Sequence, residues 1–451
     1  MAALKLTLQI HFDKTWHDAA QVSLPDPERG TFGVSRLRYE ADYAVEWMFH
    51  DDQHAASLVL PVELMLTHEA PRWFGFLEDI MPAGASRRFW VDYLGIQHLS
   101  TGRQDAELLA RGTIAPVGNL RIKEAVPDNR LRDALGERRF PMQSVVERDV
   151  DFLEYAQQMG AASGGATGAG GEAPKLLLRL TADERVWIDT WQDEVQCPDL
   201  PMLVKFPRGR RSADDCDILR AEYHYYKELA ALGIDTIETD AMRLIEGERY
   251  PSLWLPRFDM HYRDGAWIRY GLESVYSLLG ASPGTFLRHG ETLRRLVALL
   301  QGQYRVREGG EAFDTQAFVI EWVRRDLLNI AFGNSDNHGR NMALLKRPEG
   351  VWLSPVYDFA PMRADAEGVT RTTQWGPPLE VGGEYDWFAI ARSLSDVVDP
   401  DQLVEALKRL AGDLEGLDER LAVRGVPSRI MDMPTVGLRT LSTRLKRWGL
   451  L

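Results

Sequence analysis

The sequence predicts an α+β protein with three parts: a mixed N-terminal region, a β-rich lobe and a mostly helical lobe. Strand-like alternation with turn residues dominates the first 125 residues, and three apolar strand patterns then follow a glycine-rich segment. Helical periodicity prevails from about residue 271 to the end. A chain of 451 residues has room for about three domains of ordinary size. We place them at 1–125, 126–260 and 261–451.

Composition and charge exclude several classes of protein. Hydrophobic residues at 45% and charged residues at 27% are ordinary for a globular chain. The net charge of −14 weighs against nucleic acid or an anionic membrane as the main binding partner. Cys197 and Cys216 lack a metal-ligand spacing and indicate reduced thiols. No apolar run approaches the roughly 18 residues that span a bilayer. We therefore expect a soluble cytoplasmic protein.

The N-terminal part begins with a strand pattern. Apolar residues at 4, 6, 8, 10 and 12 alternate with polar ones, which predicts a half-buried strand rather than a signal peptide. Helical patches are expected at 61–69 and 105–111. A proline- and charge-rich segment at 124–133 has the composition of a linker and ends this part.

The β-rich lobe opens with the glycine-rich segment 160–171. One interpretation is a flexible linker. The other is a loop whose backbone N–H groups, those of Gly170 and Gly171 included, surround phosphates. The order of loop, strand, turn and two further strands favours the loop, although no Walker A sequence is present. Thr167 and Ser163 are candidate phosphoryl acceptors within it.

Two charged residues follow in elements that are otherwise apolar. Lys205 lies in the strand pattern 202–206 and is either a solvent-facing edge lysine or a lysine that contacts the α- and β-phosphates of ATP. Glu222 lies in a helix that we expect to begin at a capping box after Ser212 and to end at Gly233. It belongs either to a solvated helix face or to an ion pair with Lys205.

The densest polar run, 333–341, directly follows an apolar helix pattern. Asp336 and Asn341 have the spacing of an Asp that orients an attacking hydroxyl and an Asn that holds Mg²⁺. Asp358, at the end of an apolar segment, is a second candidate Mg²⁺ ligand. A plain helix-terminating turn is the alternative. His338 is either a proton relay or a residue that orders the loop.

Other chemistries find less support in the sequence. We recognise no arrangement of two histidines with an acid for a metal and no Gly-x-Ser-x-Gly motif. Zinc-dependent hydrolysis and α/β-hydrolase chemistry are therefore disfavoured.

The ordered motifs resemble those of the HipA family, bacterial serine/threonine kinases that are the toxin partners of HipB-type antitoxins. The similarity covers most of the chain. The matching segments are 76–82 (acidic-Leu-Leu-Pro), 114–120 (Val-Gly-Ala-Leu), 171–175 (Gly-x-Gln-Pro-Lys), 204–207 (Ile-Lys-x-Pro), 257–259 (Arg-Phe-Asp), 336–341 (Asp-x-His-x-Lys-Asn) and 357–358 (Tyr-Asp).

The resemblance implies a protein-kinase-like, two-lobed fold with an additional N-terminal subdomain. It implies ATP and Mg²⁺ as cofactors. By this resemblance Asp336 would be the catalytic base, Asn341 and Asp358 would hold Mg²⁺, and Lys205 would contact the phosphates of ATP. We also place His338 and Arg340 among the catalytic residues, and Glu222, Gly170, Gly171 and Lys175 at the ATP site.

Three positions depart from the family pattern. Arg340 replaces the usual Lys, which keeps the charge but changes the geometry, and Ala173 replaces the usual Gln. Gly168 stands where the family often has an autophosphorylated Ser. Thr167, its neighbour, is therefore only a candidate substitute.

The function expected from the sequence is that of an ATP- and Mg²⁺-dependent protein serine/threonine kinase of HipA type. It would be the toxin of a toxin–antitoxin pair, acting on a cytosolic protein, with a translation-related protein as the class that the family suggests and a HipB-like DNA-binding antitoxin as its partner. One alternative is a small-molecule phosphotransferase of aminoglycoside- or choline-kinase type, which would not need the N-terminal region. The other is a catalytically silent regulator that binds an antitoxin, against which the intact Asp336, Asn341 and Asp358 argue.

Overall fold

The computed structural model describes residues 3–113, 116–126, 137–158, 173–189, 195–304 and 313–451. The chain forms two compact units, each assembled from separate stretches of sequence. The first unit comprises 1–209, 240–281 and 343–354, and the second comprises 210–239, 282–342 and 355–451. The three-part division at residues 125 and 260 is not tested by this grouping and stays a prediction.

The strands are mostly short and belong largely to the first unit. In chain order they are β1 Leu4–Phe12, β2 Thr15–Leu24, β3 Ser35–Tyr39, β4 His68–Ala70, β5 Leu120–Ile122, β6 Phe140–Pro141, β7 Lys175–Leu180, β8 Arg185–Trp187, β9 Leu200–Lys205, β10 Arg243–Glu246, β11 Pro251–Pro256, β12 Met260–Arg263, β13 Ala266–Arg269, β14 Gly271–Ser274, β15 Leu287–Arg288, β16 Ala343–Arg347, β17 Gly350–Leu353, β18 Thr373–Gln374, β19 Glu380–Val381 and β20 Glu384–Tyr385.

The longest helices lie in the second unit. In chain order the helices are α1 Ala41–Glu46, α2 Gly75–Ile80, α3 Gly84–Tyr93, α4 Thr101–Arg111, α5 Met142–Glu147, α6 Val150–Gln158, α7 Ala213–Ala231, α8 Val275–Leu279, α9 His289–Tyr304, α10 Thr315–Ala331, α11 Trp387–Ser393, α12 Pro400–Asp413, α13 Leu417–Arg424, α14 Ser428–Met431 and α15 Leu441–Arg447. Short 3-10 helices occur at Pro27–Phe32, Lys123–Ala125, Met362–Ala364 and Leu438–Thr440.

Two antiparallel sheets organise the first unit. Within the described residues, one has the order β4-β3-β2-β1-β5 and the other the order β10-β11-β9-β7-β8-β6. Each sheet has its own apolar core. The first core includes Leu8, Trp73 and Trp90, and the second includes Phe152 and Trp254. The buried residues of the first core all lie between residues 6 and 125.

Two of the segments that resemble HipA motifs hold the first unit together. Asp79, from the segment 76–82, accepts hydrogen bonds from the backbone N–H of Ser274 at 2.8 Å and from its hydroxyl at 2.7 Å. Asp259 accepts the backbone N–H of Gly118 at 2.7 Å, and Arg257 Nε donates to it at 2.9 Å. Burial raises the pKa of Asp259, but Arg257 and the hydrogen bonds outweigh burial and lower it. Both carboxylates therefore have a structural role.

The second unit begins with the helix predicted from its caps. α7 starts at a complete capping box, in which the Ser212 hydroxyl accepts from the Asp215 N–H and the Asp215 carboxylate accepts from the Ser212 N–H. Gly233 follows the helix with a φ of 70°. Its N–H donates to the carbonyl of Ala230, which closes the last turn as expected from Gly at this position.

One predicted helix of the N-terminal part is wrong. Residues 61–69 contain no helix, and β4 begins at His68. The apolar residues in this stretch suggested helical spacing, but Met65 has a φ of 64°, which an α-helix does not tolerate. The patch at 105–111 is confirmed as the larger part of α4. The predicted linker at 124–133 lies mostly outside the described residues.

Candidate active site

Lys205 ends β9, a strand with partners on both sides. It pairs with Leu253 of β11 and with Lys175 of β7. Its side chain is buried, with 3% of the residue exposed. A solvent-facing edge lysine is therefore excluded by the structure, because β9 is an inner strand.

Lys175 lies directly opposite Lys205 in the register. Residues opposite each other on antiparallel strands place their side chains on the same face, with Cβ atoms about 4.5–5.5 Å apart. Lys175 is also buried, and it lines a cavity with Arg148 and Pro174. The register therefore brings two of the predicted ATP-binding residues side by side at the carboxyl end of β9.

Glu222 lies in α7 and is buried, so the interpretation as part of a solvated helix face is wrong. Its Oε1 accepts a hydrogen bond from the Tyr226 hydroxyl at 2.9 Å. The same hydroxyl accepts the backbone N–H of Phe359 at 3.3 Å. Burial raises the pKa of Tyr226 well above its usual value, and the carboxylates of Glu222 and Asp358 raise it further. Tyr226 thus connects Glu222 to the segment that contains Asp358. The predicted ion pair between Glu222 and Lys205 stays a prediction.

The polar loop 333–341 begins where α10 ends. Gly333 has a φ of 68°, and a Cβ at this position would lie 2.7 Å from Val436 Cγ1. Asn334 then turns back on the helix: its N–H donates to the Asn329 carbonyl and its Nδ2 to Asn329 Oδ1, both at 2.8 Å. Asn334 Oδ1 accepts the N–H of Asp336 at 3.1 Å. The loop is therefore anchored to the end of α10, which suits a site whose side chains need fixed positions.

Asp336, His338 and Asn341 form one hydrogen-bonded group. Asn341 Nδ2 donates to the carbonyl of Asp336 at 2.8 Å, which leaves Asn341 Oδ1 as the side-chain atom able to coordinate a cation. His338 Nδ1 faces the backbone N–H groups of Arg340 and Asn341 at 3.2 and 3.3 Å and accepts from them. Its Nε2 therefore carries the proton and lies 3.3 Å from Asp336 Oδ1. This geometry favours the loop-ordering role of His338 over that of a relay.

Asp358 has an unusual backbone conformation. Its φ is 51°, in the left-handed region that few residues other than glycine adopt and that is often found at functional sites. The preceding residues are fixed on both sides: the Tyr357 hydroxyl donates to the carbonyl of Arg340, and the N–H of Val356 donates to the carbonyl of Asp235 at 2.8 Å. Tyr357 thereby ties the segment of Asp358 to the loop that contains Asp336 and Asn341.

A buried polar network that sequence reasoning missed supports the loop. Asp326 of α10 accepts hydrogen bonds from Arg371 Nη2 at 2.6 Å, Trp375 Nε1 at 2.8 Å and Asn337 Nδ2 at 3.2 Å. His289 Nε2 lies 3.3 Å from Asp326 Oδ1. Burial raises the pKa of Asp326, but Arg371 and His289 outweigh it and hold the pKa well below its ordinary value.

The network reaches the loop at Asn337, the neighbour of Asp336. The Asn337 side chain donates to Asp326, and its carbonyl accepts the N–H groups of Thr372 and Thr373 at 3.3 and 3.1 Å. Nothing in the local sequence connects 326, 337 and 371, because the contacts are long-range. Only the buried position of Asp326 on the apolar face of α10 offers a signal.

The predicted site residues fall into three groups. In the second unit the structure connects Asp336, His338, Arg340 and Asn341 with the segment of Asp358, and Glu222 joins that segment through Tyr226. In the first unit it brings together Lys175 and Lys205. The remaining predicted residues, Gly170, Gly171, Thr167 and Ser163, lie outside the described residues.

Comparisons with known proteins agree with this fold. The family model of the HipA-like C-terminal domain matches residues 167–416, more than half of the chain. The chain therefore belongs to the HipA-like family, as its motifs predicted. No curated protein matches the sequence.

Two solved structures resemble the chain. One is HipA in the Shewanella oneidensis MR-1 toxin–antitoxin complex of HipA, HipB and operator DNA, with 18% identity, a TM-score of 0.63, and coverage of 98% of this chain and 97% of that one. The other is the Helicobacter pylori proinflammatory kinase CtkA, with 12% identity, a TM-score of 0.35, and coverage of 62% and 89%. The likeness to HipA over almost the whole length confirms the predicted α+β, kinase-like fold class.

Along the described ranges, no helix is both long and apolar enough to cross a membrane.

Proposed function

We propose that this protein is an ATP- and Mg²⁺-dependent serine/threonine kinase of HipA type that phosphorylates a protein in the cytoplasm. The pairing of Lys175 with Lys205 supports this proposal most directly. Opposite each other on neighbouring strands, the two ammonium groups would suit the several negative charges of the triphosphate of ATP. The glycine-rich segment before Lys175, with Gly170 and Gly171, would add backbone N–H donors to the same phosphates.

The loop of the second unit has the groups that phosphoryl transfer requires. Asp336 would orient the acceptor hydroxyl and take its proton, while the acceptor oxygen forms a bond to the γ-phosphorus and the bond to the β-bridging oxygen breaks, releasing ADP. His338 donates toward Asp336 and holds that carboxylate in place. Lys205 would neutralise charge on the phosphates, with Glu222 as its expected partner.

The donor set also fits Mg²⁺. Asn341 Oδ1 and the Asp358 carboxylate are hard oxygen ligands, which Mg²⁺ prefers, and both residues are half-buried. They would hold the ion, which supplies charge neutralisation on the transferred phosphoryl group. Arg340, in place of the family Lys, brings a fixed positive charge to the same loop.

The partner and regulation follow from the family. We propose a HipB-like antitoxin as the partner of this chain, which would then be a toxin, and a translation-related protein as the substrate class to test first. Thr167, or Ser163, would be the autophosphorylated residue if the family's control of the glycine-rich loop is retained here.

The test of this proposal is transfer of the γ-phosphate of labelled ATP to protein by the purified full chain. Asp336→Ala should reduce transfer by at least about a hundredfold, because a general base contributes 10²–10⁴-fold. Asp413→Ala removes an exposed carboxylate of α12 in the same unit and is the matched control. Equal transfer by wild type and Asp336→Ala would contradict the assignment of the base.

The two alternatives predict different results. A small-molecule phosphotransferase would label an alcohol in a metabolite extract and no protein. A silent regulator would show no stabilisation by ATP with Mg²⁺ in a thermal-shift assay. The kinase we propose should be stabilised by ATP with Mg²⁺ and should label protein.

A further inference from the structure

A cluster of two histidines and one carboxylate lies in the first unit, apart from the residues proposed for ATP. His50, Asp52 and His54 each offer one ligand atom, and these atoms lie within 4.8 Å of one another. It is the one such group of metal-ligating side chains within the described part of the chain. The structure therefore corrects the sequence-based conclusion that two histidines with an acid are absent.

The side chains face one another. His54 Nδ1 lies 2.8 Å from Asp52 Oδ1, and His50 Nδ1 lies 3.2 Å from Asp52 Oδ2. With bond lengths of about 2.0–2.2 Å, two ligands of a tetrahedral ion lie about 3.3–3.6 Å apart. The separation between His50 and Asp52 is close to that range and the one between His54 and Asp52 is shorter, so modest side-chain movements would allow one atom of each residue to contact a single ion.

The backbone of this loop is fixed by contacts to the rest of the first unit. His50 uses both backbone groups, since its N–H donates to the Trp47 carbonyl at 3.0 Å and its carbonyl accepts from Val62 at 2.8 Å. The His54 N–H donates to Asp52 Oδ1 at 3.0 Å, and the His54 carbonyl accepts the Tyr43 hydroxyl at 2.6 Å. A binding site needs such support, because ligands that are already in place lose little freedom when the ion binds.

Aromatic rings fix the two imidazoles. The His54 ring stacks on Trp47 with centroids 3.9 Å apart, and Phe12 lies edge-on to it at 4.7 Å. His50 meets the edge of Trp47 at 5.4 Å. These contacts hold the rings in orientations that turn both Nδ1 atoms to Asp52.

Exposure and charge also suit a cation. The His50 side chain is 40% exposed, whereas the side chains of Asp52 and His54 are 14% and 9% exposed, so the group has an open side where water can complete the coordination. The buried cation Lys346 acts electrostatically on the same region, but its Nζ lies 3.9 Å from Glu273 and donates to the Ala55 carbonyl at 2.9 Å. Glu273 therefore offsets its charge.

We propose that His50, Asp52 and His54 bind one divalent transition-metal ion of the Zn²⁺ class. Imidazole nitrogen is a borderline ligand, so a set of two imidazoles and one carboxylate favours Zn²⁺ and Co²⁺ over Mg²⁺ and Ca²⁺, which prefer oxygen alone. The three residues span only five positions, so the ion stabilises this loop against β1, which carries Phe12, and against the segment of Val62, rather than taking part in phosphoryl transfer.

The experiment is a titration of the full, tag-free, metal-stripped chain with Co²⁺, followed by visible absorption, with Zn²⁺ as competitor. Wild type should bind one Co²⁺ with a visible band that Zn²⁺ abolishes. His50→Ala and Asp52→Asn should weaken binding by at least about tenfold, since even the outer partners of metal ligands matter by 10–100-fold. His98→Ala, which removes an exposed histidine elsewhere in the first unit, is the matched control and should bind as wild type does.

A second comparison separates this site from the proposed Mg²⁺ site. Asp358→Asn should leave the Co²⁺ band unchanged. Zn²⁺ should raise the melting temperature of wild type and of Asp358→Asn but not that of His50→Ala, whose exposed side chain can be removed with little effect on folding. Absence of a band in wild type, an unchanged band in His50→Ala, or its loss in Asp358→Asn would each overturn the proposal. In the first two outcomes the cluster is a hydrogen-bonded group without an ion.

Discussion

Lys175 and Lys205 are the two residues in the sheet of the first unit that we propose to bind the phosphates of ATP. They lie opposite each other on β7 and β9, and both are buried. Residues opposite each other on antiparallel strands place their side chains on the same face of the sheet. This shared position is the reason that we propose both lysines as ligands of the ATP phosphates.

Removal of one of these lysines gives the first prediction. Lys205→Met keeps most of the apolar stem and removes the charge, so it should weaken ATP binding by about ten- to hundredfold, which corresponds to about 1.5–3 kcal/mol for a charge-assisted contact. Calorimetry of ATP binding in the presence of Mg²⁺ measures this. Lys5→Met, on the exposed side of β1, should bind ATP as wild type does. Unchanged affinity in Lys205→Met would contradict the proposed role.

Asp326 gives the second prediction at this scale. Asp326→Asn removes one of the two carboxylates that pair with buried Arg371, the other being that of Glu380, and should lower the free energy of unfolding by about 1–3 kcal/mol. The kinase rate constant should also fall while the affinity for ATP stays the same, because Asn337 loses its anchor and Asp336 its position. Urea unfolding and single-turnover transfer measure the two effects. A variant as stable and as active as wild type would show that the network has no such role.

The pH dependence of this effect has a definite sign. The pKa of Asp326 is lower in the folded chain than in the unfolded one, so its contribution to stability is fully present above the unfolded value of about 3.9. It is lost as the pH falls below that value. The stability difference between wild type and Asp326→Asn should therefore be constant from pH 7 to pH 5 and should decrease below about pH 4.

At the scale of elements, α10 and the loop after it carry the proposed catalytic groups. Gly333 allows the chain to leave the helix, because its φ is positive and Val436 occupies the space where a Cβ would lie. The loop then returns to the helix through Asn334 and to the core through Asn337. A change at this exit should move the whole loop.

The third prediction tests this exit with a pair of glycines. Gly333→Ala should lower the free energy of unfolding by at least about 1 kcal/mol and reduce phosphoryl transfer. The reason is that a positive φ is unfavourable for Ala and that Val436 occupies the space of the added Cβ. Gly302→Ala, in α9, has no atom near the added Cβ and an ordinary helical φ, so it should raise stability by about 0.5–1 kcal/mol. Thermal unfolding of both variants measures the difference. An equally stable Gly333→Ala would contradict this account of the loop.

Elements with a strong local signal were predictable from the sequence. The alternation at 4–12 predicted β1, and the capping box predicted the start of α7. The second half of β1 differs from the expectation, since Gln9 and His11 are also buried. Side chains of neighbouring strands shield this face of β1 from solvent; one of them is Arg121, whose Nε donates to Gln9 Oε1 at 2.7 Å. The alternation of polar and apolar residues does not predict such shielding.

The site was predictable where its residues are close in sequence. The spacing of Asp336 and Asn341 identified the loop, but the role of Asp326 depends on contacts with residues 37 positions before it and 45 after it. The cluster of His50, Asp52 and His54 was overlooked for another reason. Alternate residues point in the same direction in a strand, but in a loop only the turn geometry decides whether they converge.

At the scale of the whole molecule, the net charge of −14 limits the ability of this chain to bind DNA by itself. An acidic protein repels DNA at long range, so any association with DNA would have to be carried largely by a basic partner, such as the antitoxin that we propose. The chain alone should show no binding to duplex DNA at physiological salt, and a complex with its antitoxin should bind with a steep salt dependence. Fluorescence anisotropy with labelled DNA tests this. Tight binding of DNA by the isolated chain would contradict the prediction.

The central claim is that this chain transfers phosphate from ATP to a protein through Asp336. It is tested most directly by mapping phosphorylated residues in the total lysate and in the chain itself after matched expression of wild type and Asp336→Ala. We expect wild type to add phosphoserine or phosphothreonine to one or a few cellular proteins and to arrest growth, and Asp336→Ala to do neither. New phosphosites that are equal in both strains, or none in either at equal protein levels, would contradict the claim.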